Sequence, residues 1–123
     1  REMFSKVDEG GFEDKVFYVL TGKRAYEFSV QNYSADELLR KLANSKRNGK
    51  ILTCASKHDS ESKSDYLDSN KKILSGHAYA VGRIFEDSRQ VEIINPHDTK
   101  HPIRIGIDGF KKYFGSITLL DLN

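Results

Sequence analysis

The sequence predicts an α+β fold in which one principal helix is followed by a mostly antiparallel sheet. Three observations predict it. Ser34-Ala35-Asp36-Glu37 is a capping box opening a leucine stripe. The last third of the chain is dense in short alternating apolar runs separated by turn residues. With 123 residues there is room for one domain and hardly two.

Taken in order, Arg1 to Phe12 mixes charges with Gly10-Gly11 and reads as an entry loop. Val16 to Leu20 is a short apolar run whose β-branched and aromatic content leans towards strand. Tyr26, Phe28 and Val30 alternate in a following extended stretch. The capping box starts a helix carrying Leu38, Leu39 and Leu42, and basic residues followed by Gly49 stop it. Ile51 to Ala55 is a buried strand. From Ser56 to Lys72 the composition turns to Ser, Lys, Asp, His and Asn, which predicts a long mobile loop over 56–72. Gly76–Phe85 and Gln90–Asn95 flank Glu86-Asp87-Ser88-Arg89, a connection of hairpin length. Ile103 to Ile107 alternates as a further strand. Asp108 can cap a short helix running to Phe114, Gly115 ends it, and Ser116 to Leu122 closes the chain as a strand.

Charge and composition exclude several classes. Charged residues make up 31%, but 20 basic against 18 acidic leave a net charge of +2. A nucleic-acid partner is not expected, since it calls for a large clustered basic excess. No apolar run is long enough to span a bilayer, so no membrane partner is expected either. The single cysteine excludes an internal disulfide framework. Arg1, not Met, opens the chain, as expected of a piece of a longer protein.

Chemistry could sit at the lone thiol or at the four histidines. Cys54 lies inside an apolar strand, with no helix N-terminus or adjacent imidazole to lower its pKa, and reads as a packed core thiol. His97 and His101 form an H-x-x-x-H pair, and Cys54 and His58 a C-x-x-x-H pair. The first brackets a loop ending in Pro102, and no C-x-x-C knuckle is present, so neither a metal nor another cofactor is expected. His77 opens a strand directly after Gly76, and Asn95 closes its hairpin partner. A turn centred near Glu86 sets the two level, or diagonal if the register slips by one or two residues. They can then supply two members of a Cys-His-Asn arrangement, the amide oxygen orienting the ring while its other nitrogen exchanges a proton with a thiol. On spacing alone, a strand-initial histidine is more often a polar surface residue.

Leu52-Thr53-Cys54-Ala55-Ser56, then Ser75-Gly76-His77-Ala78-Tyr79-Ala80-Val81, then Ile93-Ile94-Asn95-Pro96 resembles the calpain family of cysteine proteases. Gly10 to Asp14 and Leu20-Thr21-Gly22 are similar to elements before the family's helix, so the resemblance runs over roughly residues 10 to 96. It implies that the chain, 1–123, is the single β-rich, barrel-like subdomain of a papain-like catalytic unit. It further implies that His77 is the catalytic imidazole, Asn95 its orienting amide, and Cys54 a position other than the nucleophile. The family's Trp-Gly after Asn-Pro is replaced by His97-Asp98. Its nucleophilic cysteine and upstream glutamine have no match. The partners implied are therefore a protein or peptide substrate and an N-terminal subdomain carrying the thiol, without which this chain is expected to be inactive. A short bacterial protease, or a secreted toxin or effector, fits the short downstream segment. Thiol amidases, deamidases and acyltransferases share the same chemistry, and a calpain-like module that only binds protein is the alternative of another class.

Overall fold

The structure is a computed structural model that describes residues 4–6, 15–19, 24–58 and 66–121. Its strands are β1 (Phe4–Lys6), β2 (Lys15–Val19), β3 (Arg24–Ser29), β4 (Ile51–Ser56), β5 (Tyr66–Asp68), β6 (Ile73–Leu74), β7 (Ala78–Phe85), β8 (Gln90–Asn95), β9 (Asp98–Gly106) and β10 (Phe114–Asp121). The helices are α1 (Ala35–Arg47) and α2 (Ile107–Tyr113), with a 3-10 turn at Val30–Asn32. Among the described residues eight strands form one sheet in the order β1-β2-β3-β10-β4-β7-β8-β9, and β5 pairs with β6 separately. Every pairing among the described residues is antiparallel. The α+β expectation holds. The sheet is open, however, ending at β1 and β9, and does not close into a barrel. None of the described helices is long and apolar enough to cross a membrane.

Local chemistry accounts for α1. The Glu37 amide donates to Ser34 Oγ at 3.2 Å, and the Ser34 amide donates to Glu37 Oε1 at 2.9 Å. Two N–H groups that the helix leaves unpaired are thereby satisfied. Leu38, Leu39, Leu42 and Ala43 are buried on one face. Asn48 caps the other end, and Gly49 takes the left-handed φ of 76° that reverses the chain. The helix packs against β4, β7 and α2. Leu52 and Cys54 of β4, Tyr79 and Val81 of β7, Val91 and Ile93 of β8, and Phe110 and Phe114 belong to the same core.

Several expectations are corrected. The entry segment contains a strand, β1, paired with β2. The loop expected over 56–72 is shorter at both ends. Ser56 is the buried last residue of β4, and Tyr66–Asp68 forms β5. Residues 59–65 of that loop lie outside the described residues, as do the family-like Gly10 to Asp14 and Leu20 to Gly22. The strand expected from Ile103 begins at Asp98, which pairs with Asn95 across a register shift; the exposed stretch Asp98–Pro102 carries no apolar alternation that would mark it as strand. Its end is one residue earlier, since Ile107 turns into α2 and is buried there. Asp108 does not cap α2. Gly106 occupies the N-cap without a side-chain bond, and Asp108 sits in the first turn.

Candidate active site

The inward row of β7, Tyr79 and Val81, and that of β8, Val91 and Ile93, lie in the core. His77 and Asn95 continue these rows by one alternation, to the point where the core face emerges at the end of the sheet. Ala80 pairs with Ile94 and Val81 with Ile93, which sets Asn95 against Tyr79 and leaves His77 as its diagonal neighbour. Both residues are half-buried.

The two side chains meet. His77 Nε2 and Asn95 Oδ1 are 3.1 Å apart. The His97 backbone N–H also donates to Asn95 Oδ1, at 2.9 Å. An amide N–H only donates, so the atom it reaches is the carbonyl oxygen of Asn95. That oxygen only accepts, so Nε2 must carry the proton in its bond to Asn95. In the neutral ring Nδ1 is then the acceptor, and nothing among the described residues hydrogen-bonds to it. The ring therefore has one nitrogen held and one nitrogen available as a base.

Aromatic contacts hold the ring from its sides. Tyr79 meets it edge-on with centroids 5.0 Å apart, and Tyr79 in turn stands edge-on to Phe114 at 5.6 Å. The His97 ring lies 5.7 Å from His77, tilted by 31°. His97 thus sits beside the His77–Asn95 pair. His101 turns elsewhere, its Nδ1 2.7 Å from Asp98 Oδ1. The His97–His101 pair is consequently not convergent. A cavity of about 480 Å³, lined in part by Asn95, Leu74, Lys72, Asp98 and His101, opens beside the amide.

The backbone at His77 is tied down by a residue that the sequence pattern assigned to loop. Ser56 Oγ accepts from His77 N–H at 2.8 Å, and Ser56 N–H donates to the His77 carbonyl at 2.9 Å. The hydroxyl donates to the Leu74 carbonyl at 2.5 Å. Alternation along Leu52, Cys54 and Ser56 was the available signal for an inward Ser56; its polarity masked it. Gly76, just before His77, has φ of 60°, and its amide donates to the Lys57 carbonyl at 3.0 Å.

Cys54 belongs to the core. It is 2% exposed, on the inward row of β4, and burial pushes its thiol pKa up. A neutral thiol in that position is a poor nucleophile. His58 is exposed, with its ring alongside Gly76.

Comparison with known proteins gives one family. The model described as calpain family cysteine protease matches residues 2–101. Its span reaches beyond the 10–96 of the sequence resemblance at both ends and takes in both His77 and Asn95. No curated protein matches the chain.

Proposed function

The chain belongs to the calpain family of cysteine proteases, and on that premise we propose that it supplies the His and Asn of a thiol-protease site. His77 is the general base and acid, Asn95 its orienting amide, and the nucleophilic cysteine comes from another segment, of the same parent chain or a separate one. The whole chain, 1–123, then acts as the β-rich half of a papain-like catalytic unit. The observation that carries this reading is the His77 Nε2–Asn95 Oδ1 bond at 3.1 Å, which leaves Nδ1 to receive a proton.

The chemistry follows from that free nitrogen. The incoming thiol passes its proton to Nδ1, giving a thiolate and an imidazolium whose Nε2–H stays on Asn95. The thiolate attacks the peptide carbonyl carbon. The carbon–nitrogen bond then breaks, and Nδ1–H protonates the departing amine. Water next gives a proton to Nδ1 and adds to the thioester; the carboxylic acid leaves, and the thiol recovers its proton. The oxyanion donors, like the thiol, are assigned to the complementary half.

Two features support assigning the nucleophile elsewhere. Cys54 is buried, with its thiol pushed towards the neutral form. The chain contains no second cysteine. Purified alone, the chain is expected to cleave no peptide. In the assembled protease, His77→Ala is expected to abolish peptide hydrolysis, while Asn95→Ala lowers kcat by about 10- to 100-fold through loss of ring orientation. Full activity in His77→Ala, or peptide cleavage by this chain that Cys54→Ser removes, would refute the assignment. Product analysis separates a protease from its chemical relatives, since deamidation releases ammonia and leaves the peptide backbone whole.

A further inference from the structure

We infer that Ser56 is a positioning residue for the imidazole of His77, an inference that rests on the function proposed above. Ser56 is 7% exposed and is the polar residue buried among the described residues. It ends the inward row of β4, after Leu52 and Cys54. The β4–β7 register runs Thr53–Ala80, Cys54–Tyr79, Ala55–Ala78, so its next step sets Ser56 against His77.

In an antiparallel ladder two such residues exchange both backbone bonds. Here one bond is regular, from Ser56 N–H to the His77 carbonyl at 2.9 Å. The return bond goes from His77 N–H to the Ser56 hydroxyl at 2.8 Å. The hydroxyl proton points to the Leu74 carbonyl at 2.5 Å, nearer than the His77 carbonyl at 3.1 Å. Both backbone polar groups of His77 therefore end on one residue, and the same hydroxyl secures the chain three residues earlier.

That arrangement matters because of what precedes His77. Gly76 is in the left-handed region at φ 60°, so His77 leaves a turn with only one regular ladder bond, at its carbonyl, to fix its direction. The hydroxyl stands in for the missing return bond. Ring and backbone are then held independently, the ring by Asn95 and the backbone by Ser56. Leu74 is held from its other side as well, its N–H donating to Tyr79 Oη at 2.9 Å, and Tyr79 is the ring edge-on to His77. Buried beneath the strand, the hydroxyl acts through His77.

Removing the hydroxyl leaves His77 N–H and the Leu74 carbonyl without their partner, and the 74–77 segment must shift to recover one. A shift near 1 Å in a catalytic group costs about 100-fold in rate. The test compares Ser56→Ala and Ser56→Thr in the assembled protease on a peptide substrate. In parallel, ring-nitrogen NMR of His77 in the 123-residue chain reads the tautomer without needing activity. Ser56→Ala is expected to lower kcat by about 10- to 100-fold with KM within about twofold, and to mix the ring tautomers. Ser56→Thr, which keeps the hydroxyl, is expected to restore the single Nε2–H tautomer and most of kcat. Unchanged kcat and ring signal in a folded Ser56→Ala variant would overturn the inference while leaving the proposed function intact. Activity persisting in His77→Ala would instead overturn the function, with the NMR result still deciding for or against Ser56. Should Ser56→Ala not fold, amide exchange of His77 in the unaltered chain decides. Slow exchange supports the buried bond, and exchange at the rate of an exposed amide overturns it.

Discussion

Alkylation of Cys54 tests the division of labour proposed for this chain. A nucleophilic cysteine reacts at neutral pH in the folded state, whereas a core thiol reacts only when the structure opens. Cys54 is 2% exposed, faces inward between Leu52 and Ser56, and sits in register with Tyr79 of the neighbouring strand. No local fraying at a strand end frees it, so opening requires most of the core. At about 0.05 kcal/mol per residue, the low end for globular chains, global stability is about 6 kcal/mol. Opening of that cost slows alkylation by about 10⁴-fold relative to a free thiol at the same pH. The assay is iodoacetamide labelling followed by mass spectrometry, with a small-molecule thiol as reference and circular dichroism to confirm folding. A pH series adds a second reading. Burial raises the native pKa of Cys54, so its contribution to stability is fully present below the ordinary thiol value and is lost above it. From about pH 8.5 upward the unfolded chain loses a proton that the native chain keeps, and stability falls by about 1.4 kcal/mol per pH unit. Cys54→Ala lacks that slope, so the difference between the two chains isolates it. Labelling of the folded chain within tenfold of the free thiol would refute the burial argument and return Cys54 to candidacy as nucleophile.

Further expectations concern the elements that carry the site. Ser34→Ala is expected to cost about 1 kcal/mol in urea unfolding, because the Glu37 amide loses its cap. The Glu37 carboxyl is held below its usual range, first by the Ser34 backbone N–H. Its stabilising effect is present above the ordinary carboxylate pKa and lost as pH falls through the lowered one. The stability gap to Glu37→Gln should therefore be widest at neutral pH and close on acidification; a pH-independent gap would refute the charged cap. Tyr79→Phe leaves the Leu74 N–H unpaired beneath the site and is expected to lower stability by about 1 to 2 kcal/mol, with faster amide exchange at Leu74 as the specific check. Gly76→Ala places a side chain at positive φ, with its Cβ 3.3 Å from His58 Nδ1. It is expected to cost about 1 to 2 kcal/mol, and an unchanged unfolding midpoint would contradict the turn.

Much of the fold was legible because its signals are local. The capping box, the leucine stripe and Gly49 each act within a few residues, and α1 appears where they put it. The β7–β8 hairpin follows likewise from a short polar connection between alternating runs. Signals failed where a strand carries no apolar alternation. The exposed half of β9 is such a case, as is β5, whose partner β6 is only two residues long. Asp108 was misread for another reason. Capping chemistry is only a preference, and with Ile107 and Phe110 buried α2 starts two residues earlier than a cap at Asp108 would set it.

For the site, the amino-acid order by itself determined that His77 and Asn95 stand at one end of a hairpin, and that Cys54 lies on an inward row. Alternation and turn position are properties of the chain that no distant contact alters. Tertiary structure decided which atoms meet. Nε2 of His77 meets Asn95, and donation by the His97 amide to the same Asn95 atom identifies it as the oxygen, so that Nε2 carries the ring proton. Packing of β4 against β7 brings a serine, distant in sequence, beneath the histidine backbone. Such contacts depend on register and on a hydroxyl's direction, and a one-residue slip in pairing would turn either side chain to the opposite face.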